Sequence, residues 1–520
     1  MEPTPPIQVS DTVRWPLVLN AGLVALVALR LAFVSVPAVW IDEAFSLYHV
    51  KHGLAFLWGT GWQLETNPPL YYTVLWVWTL AFGGAEWVAR LLSVFLFALA
   101  TWFVRRGGAA LGGRTAGLAA AWLFACQPLV FQYSLEIRPY ALMLLLVAFV
   151  VASLAQALAT LERPNEQGAL VPWRAVVSIV LGCILIAYTH SIGPIIIAAV
   201  SGAAIWYGLI RRQLRGYWLV WGAANAIVFV CIVPQLVSTL AVFESNRLGL
   251  AWYPAPSDPT PSDSTWLYIC IRALFVGMHT FGVPTTKLLA AITSGLLVWS
   301  AWRMRRRMDV LTIGVATPVI GLALLFGLSF VQPILLPRTA LWLIVPMCML
   351  PGAALADVRW RSVWAWSSAC IVTALAVHMC IADIHGRSYW RPWPEVIAQH
   401  ARNYRAGDVF VVVDPETLCV LDFYATGPLR SATRRILNRG TDQHWRSGQR
   451  IAIGCNEAPA IGIDGIGQTI AGGVGVWLIG WDPLETPDVD AVVEALADSS
   501  QVTERIVMDG RTIALRLAAP

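Results

Sequence analysis

The sequence predicts a polytopic α-helical membrane protein of about eleven transmembrane helices, followed by a small soluble α/β domain. Three observations carry this reading: composition, a series of apolar stretches of spanning length, and a change of character after about residue 386. Of 520 residues, 57% are hydrophobic and 13% charged, and the mean hydropathy is +0.63. A soluble chain carries about 25% charged residues. So few charges cannot cover a water-facing surface, so lipid must cover much of it. The 26 Trp residues suit interfacial belts first and carbohydrate stacking second. The net charge of +5 gives no argument for a nucleic-acid partner, because distribution matters more than the sum.

The spans are expected at 16–39, 87–104, 115–133, 139–160, 173–190, 192–210, 217–239, 284–302, 309–331, 339–356 and 363–384. The first run, Trp15 to Trp40, is too long for a signal peptide and lacks a small-residue cleavage site, so it reads as a retained anchor. Two further apolar stretches, 68–83 and 265–283, are ambiguous. Laying them along the outer interface puts fifteen arginines on one face: Arg14 and the clusters Arg105/Arg106/Arg114, Arg163/Arg174, Arg211/Arg212/Arg215, Arg303/Arg305/Arg306/Arg307 and Arg359/Arg361. The positive-inside rule then favours eleven spans, with the N-terminus inside and the C-terminus outside. A plasma (inner) membrane location follows as the expectation, with a transmembrane domain over 1–385, outer-face interfacial helices near 44–83 and 265–283, and an extracytoplasmic domain over 386–520.

The segment after 386 is richer in Asp, Arg and Gly. Residues 393–405 read as a helix, Val409–Val413 and Val474–Ile479 as strands, and Pro487–Ala497 as a helix. Val502–Met508 and Thr512–Leu517 read as a hairpin about Asp509-Gly510. Asp488-Val489-Asp490 mimics a metal-binding DxD, but it opens a helix, where Asp is an ordinary cap. The nine Cys show no CxxC and no zinc spacing. Cys419 and Cys455 fall in this tail. An extracytoplasmic tail would allow them to pair; otherwise they are buried thiols.

The predicted outer face collects the unusual residues: Asp42 and Glu43, the Asn67-Pro68-Pro69 corner, Arg90, Glu136, Arg138, His190 and Arg338. Polar groups gathered at one membrane face suggest a site there. An acidic pair directly after a first membrane helix is either solvated or a general base for a hydroxyl acceptor.

The chain resembles the polyprenyl-phosphate-sugar-dependent glycosyltransferases of the GT-C class, the group of protein O-mannosyltransferases and lipid A aminoarabinose transferases. The resemblance rests on Trp-x-Asp-Glu-Ala at 40–44, Asn-Pro-Pro-Leu-Tyr-Tyr at 67–72 and Arg-Leu-Leu-Ser at 90–93. It continues with Ser-x-Glu-x-Arg-Pro-Tyr at 134–140, Tyr-Thr-His at 188–190 and Leu-Pro-Arg at 336–338. The family commonly has His where this chain has Asn67, and Asn cannot titrate near neutrality. The resemblance implies a sugar donor on polyprenyl phosphate and a lipid, glycan or protein hydroxyl as acceptor, met among membrane lipids. It implies one direct, inverting displacement. Arginine suits the leaving phosphate because its fork stays protonated. Arg30, Arg90 and Arg338 are therefore the expected donor-phosphate contacts. Asp42 is the expected base, with Glu43 orienting the acceptor or an adjacent helix. Asn67, Tyr71, Glu136, Arg138, Tyr140 and His190 are expected to line the cavity, Glu136 and Arg138 as a mutual pair. The reading requires no cofactor and no metal, although an Asp/Glu/His site accepts a divalent ion adventitiously.

Two rival classes remain at this level. A lipid-linked-sugar transporter or flippase needs many spans and membrane arginines, but it should show polar residues through the full depth. An envelope scaffold would keep its function without Asp42. The topology itself is testable: alkaline phosphatase fused after residue 390 is expected to be active, and a cytoplasm-only reporter at that position is expected to be silent.

Overall fold

The computed structural model describes residues 15–65, 67–162, 172–213, 215–246, 271–272, 274, 283–330, 334–356, 393–413, 417–425, 427–437, 460–479, 492–498, 500–508 and 511–520. α1 (Trp15–Phe33) leads into a cluster of short helices, α2 (Ile41–Lys51), α3 (Gly53–Leu57) and α4 (Thr60–Leu64). α5 (Leu70–Phe82) and α6 (Glu86–Ala125) follow. Next come α7 (Pro128–Tyr133), α8 (Tyr140–Leu161), α9 (Trp173–Ala187), α10 (Gly193–Ile210), α11 (Arg215–Asn246) and α12 (Val283–Arg303). α13 (Met308–Leu311) runs through a π turn into α14 (Thr317–Leu328). α15 (Pro337–Ala340) continues through a 3₁₀ turn into α16 (Ile344–Ala356). A helix occupies each of the expected spans that falls on described residues. The span 363–384 and most of 265–283 lie outside them. Among the described residues, six helices are long and apolar enough to cross a membrane, and α5, α9 and the Asn20–Phe33 part of α1 are shorter apolar helices.

α6 is two arms, not one rod. Its backbone breaks at Gly112 (φ −147°) and Gly113 (φ +81°), and the second of these angles suits a residue without Cβ. The arms fold back so closely that a Cβ on Gly117 would lie 2.3 Å from the Arg105 carbonyl oxygen. Phe97 and Phe124 stack across them at 6.0 Å. Helices in lipid pack through such small residues, since apolar burial alone gives no preference for protein over lipid.

The two ends of the bundle differ in charge. At one end, Arg211 pairs with Glu162 at the foot of α8. There Arg307 also pairs with Asp309 at 2.7 Å and donates to the Leu111 carbonyl. Arg211 and Arg307 belong to two of the expected basic clusters. The other end carries Asp42, Glu43, Glu65 and Glu136. Both ends of α5 touch it: Leu70 N donates to Tyr188 O after α9, and Trp78 Nε1 donates to Val88 O in the first turns of α6.

Beyond the bundle, α17 (Trp393–Asn403), β1 (Val409–Val412), α18 (Thr417–Tyr424), β2 (Thr433–Leu437), β3 (Ala460–Ile461), α19 (Ile463–Ala471), β4 (Val476–Ile479), β5 (Gln501–Met508) and β6 (Arg511–Ala518) form an α/β unit. Its sheet runs β3-β2-β1-β4-β6-β5. The first four strands are parallel, and β5 and β6 form an antiparallel hairpin at one edge. β1 and β4 are wholly apolar because both faces are covered. The expected strands are found to within a residue or two, but Asp488-Val489-Asp490, Asp509-Gly510 and Cys455 lie outside the described residues. Cys419 is disulfide-bonded. Asp408 and Arg516 bridge the base of the sheet at 2.8 Å, and Trp477 Nε1 donates to the same carboxylate. The bridge fits because residue 475 is Gly: a Cβ there would sit 2.2 Å from Arg516 Nη2.

His400 of α17 is buried against the Trp477 ring, at 4.5 Å, and the Phe410 ring. Neither imidazole nitrogen has a hydrogen-bond partner among the described residues. Burial pushes its pKa down from 6.5 to about 3. The unfolded chain therefore binds the proton first, so the stability His400 allows is complete above pH 6.5 and declines as pH falls toward 3. Hydrogen exchange in peptides covering 393–403 and 476–479 is expected to quicken between pH 7 and pH 5, after correction for intrinsic rates. His400→Phe is expected to remove most of that dependence.

Candidate functional site

The site begins with the way α2 starts. Glu43 sits three residues after Trp40, and its carboxylate accepts the Trp40 backbone N–H at 3.4 Å, as in one half of a capping box. Asp42 and Glu43 both lie in the first turn, where the helix dipole favours negative charge. Successive helix positions point about 100° apart, so the two neighbouring acids face different surroundings.

Glu43 turns into the protein. It meets Arg90, and both side chains are almost fully buried. Arg90 donates through Nε and Nη2 to the two carboxylate oxygens, at 3.0 and 2.6 Å. Its remaining donors go to the carbonyls of Val34, Pro37 and Ala38. All five guanidinium N–H groups therefore have acceptors. Glu43 also accepts from Ile137 N at 3.0 Å, which ties α2 to the segment before α8. Arg30 is equally enclosed. It donates to Ser134 Oγ, Leu26 O and Ala125 O, and its guanidinium lies 3.8 Å from the centre of the Phe97 ring. Arg30 and Arg90 thus depart from the expectation of phosphate contacts, because protein carbonyls and Glu43 occupy their donors. An arginine at such depth is tolerated only when so satisfied.

Asp42 turns the other way. Its side chain is 21% exposed, with Arg138 at 3.7 Å and Arg338 at 3.8 Å. Arg338 lies in the first turn of α15, where Pro337 suits the helix start. Arg138 precedes α8 and takes Asp42 and Glu65 as its carboxylate partners. The expected Glu136–Arg138 pair is replaced by these contacts; Glu136 accepts from Gln132 Nε2 at 3.4 Å, and its carbonyl accepts from Ser93 Oγ at 2.6 Å. Ser46 Oγ and Tyr72 OH each lie 3.4 Å from Arg138 Nη1.

Asn67 is buried and donates twice to Glu65, through its backbone N and Nδ2. Its Oδ1 has no partner among the described residues. His190 packs on Tyr140, with 5.5 Å between ring centres. The Ile192 N–H donates to His190 Nδ1 at 3.3 Å, so that nitrogen carries the lone pair and a neutral ring carries its proton on Nε2. Nε2 is buried and without a partner among the described residues, and Arg138 and Arg338 are the charges that act on it. Tyr71 and Tyr72 are both buried, with 5.5 Å between their ring centres, and Tyr72 is the one whose hydroxyl meets Arg138.

Four site residues escape the sequence reading: Glu65, Tyr72, Ser46 and His49. Ser46 and His49 follow Asp42 at helical spacing, four and seven residues on, which is the signal that reveals them. His49 is buried beside the Tyr72 ring, at 5.6 Å. Nothing in the spacing marks Glu65, since α4 intervenes.

The fold, bundle and α/β unit together, is similar to one found among solved GT-C membrane glycosyltransferases. The chain is similar to ArnT from Cupriavidus metallidurans. In the structure of ArnT bound to undecaprenyl phosphate the match is 16% identical, covers 96% of this chain and 98% of that one, and has a TM-score of 0.63. In the apo state the match is 15% identical, covers 96% and 97%, and has a TM-score of 0.64. The Archaeoglobus fulgidus oligosaccharyltransferase in the apo form aligns over 86% of this chain and 64% of its own, at 13% identity and a TM-score of 0.49. No family model and no curated protein sequence matches the chain.

The enclosure of Arg90 makes a stability prediction. Arg90→Ala leaves Glu43 buried and unpaired, which costs about 3–5 kcal/mol. A large fall in thermal unfolding temperature is expected in detergent. Arg90→Lys is expected to recover little of it, because three ammonium donors cannot meet five acceptors.

Proposed function

We propose that the chain is an inverting glycosyltransferase that moves a sugar from a polyprenyl-phosphate carrier to a hydroxyl acceptor at the outer face of the membrane. The observation that carries the proposal is Asp42: a partly exposed carboxylate at the acid-bearing end of the bundle, flanked by two guanidiniums at 3.7 and 3.8 Å. Undecaprenyl phosphate bound to ArnT, a protein of the same fold, supports a carrier of this class.

The chemistry follows from this grouping. The acceptor hydroxyl gives its proton to Asp42 as its oxygen attacks the anomeric carbon. The bond from that carbon to the phosphate oxygen breaks, and the lipid phosphate leaves with an added negative charge. Arg338 and Arg138 are the cations placed to receive that charge, and His190 Nε2–H adds a neutral donor beside them. Glu65 and Asn67 hold Arg138 and the acceptor side. Arg30 and Arg90 act by building the site. A single displacement inverts the anomeric configuration.

Orientation rests on two supports. Arg211 and Arg307, from two of the arginine clusters, lie at the far end of the bundle from Asp42, as the positive-inside rule asks of a cytoplasmic face. A disulfide at Cys419 suits a compartment outside the cytoplasm. A transport reading is disfavoured by the middle of the bundle, which is filled by residues such as Phe97, Phe124, Met143 and Val147.

Asp42→Asn and Arg338→Ala separate these roles. With undecaprenyl-phosphate-linked pentoses and hexoses as donors, Asp42→Asn is expected to lower kcat by about 10²–10⁴ while undecaprenyl phosphate still binds. Arg338→Ala is expected to weaken binding of that lipid phosphate by about 10- to 100-fold, as the loss of a charge-assisted hydrogen bond implies. Wild-type turnover in Asp42→Asn would remove Asp42 as the base. A product that retains the donor's anomeric configuration would exclude the single displacement.

A further inference from the structure

The helix that carries Asp42 has three faces with different neighbours. Asp42, Ser46 and His49 face the site. Leu47 and Val50 join the core of the membrane bundle. Val39, just before the helix, and Ala44 are buried in the same apolar cluster as Leu418, Val420, Leu421, Phe410 and Trp477 of the α/β unit, with Phe45 and Tyr48 packed against it. The start of α2 is therefore built into the core of the C-terminal unit as much as into the bundle.

A polar contact fixes the same place. Val39 N donates to the hydroxyl of Tyr424, the last residue of α18, at 2.7 Å. On the other side, Arg90 holds the carbonyls of Val34, Pro37 and Ala38. The backbone leading to α2 is thus gripped from the bundle through three carbonyls and from the C-terminal unit through one N–H. Asp42 follows three residues later. Its distances to Arg138 and Arg338 are already close to 4 Å, so a shift of about 1 Å at the start of the helix changes both. Misplacement on that scale costs a reaction up to about 100-fold.

We infer that Tyr424 is a positioning residue for the transfer reaction: through the Val39 N–H, the C-terminal unit sets where α2 begins and hence where the Asp42 carboxylate stands. The inference rests on the reading of Asp42 as the base. It gives the C-terminal unit a part in turnover without contact with donor or acceptor.

The test uses the full-length protein in lipid nanodiscs with undecaprenyl-phosphate-linked sugars, in four forms: wild type, Tyr424→Phe, Asp42→Asn and the double variant. Tyr424→Phe keeps the ring and its packing and removes only the hydroxyl, and its thermal unfolding temperature is measured alongside. The expected result is a fall in kcat of roughly 10-fold or more, with undecaprenyl phosphate binding unchanged. The double variant is expected to be no slower than Asp42→Asn alone, because a residue that acts through Asp42 has nothing left to position. Wild-type kcat in Tyr424→Phe overturns the inference. So do losses that multiply in the double variant, or a parallel loss of undecaprenyl phosphate binding, since either makes the hydroxyl a general structural support. A silent Asp42→Asn is a separate outcome: it removes the base, and this role for Tyr424 with it.

Discussion

The Arg90–Glu43 pair is the interaction on which the site depends. Two opposite charges are taken out of water, an arrangement that is costly unless every donor and acceptor is met. Here each guanidinium N–H has an acceptor, and Glu43 receives two backbone N–H groups in addition. The pair joins four stretches of chain that sequence keeps far apart: the exit of α1, the start of α2, the first turns of α6 and the segment before α8. Those stretches deliver Asp42, Arg138 and the wall behind them. Arg30 repeats the device deeper in the bundle with carbonyls and a serine in place of a carboxylate. In both cases a charge holds backbone in place, and Asp42 and Arg338 are site charges that remain partly exposed.

This division explains what was legible beforehand. The helices could be read because lipid demands long apolar runs, and β1 and β4 could be read because burial on both faces leaves a short, wholly apolar strand. The Asp42-Glu43 pair could be found but not divided, because adjacency in sequence does not say which acid the helix turns inward. Arg30 and Arg90 carried the right charge for a phosphate. Their acceptors, though, are mostly backbone carbonyls, which every residue possesses and no sequence displays. Tyr71 and Tyr72 differ by one helical step, enough to set only one of two buried hydroxyls beside Arg138. Glu65 belongs to the site only through the path of α3 and α4, which no local pattern announces.

Identity of 16% with a protein of the same fold over nearly the whole of both chains has a physical reading. At most positions that face lipid or the apolar core of a bundle, any residue of suitable size and apolarity serves. Sequence there drifts while helix arrangement holds. The glycines at 112, 113 and 117 are of another kind, since the backbone angle at 113 and close neighbours at 112 and 117 disfavour any side chain. Constraints of that sort fall on a few positions and weigh little in overall identity.

The contact between Val39 and Tyr424 spans 385 residues of chain, and this bears on how the protein comes into being. A ribosome adds roughly 5–20 residues each second, so the first grip on α2 is available from the bundle long before the second is synthesised. For an interval on the order of a minute, the nascent chain holds its acid on a helix whose outer face has no apolar partner. Maturation therefore runs from the last part made to the first. The amino-terminal loop completes its contacts only when the carboxy-terminal unit has been made and folded, and a chain cut short during synthesis keeps α2 gripped from the bundle alone.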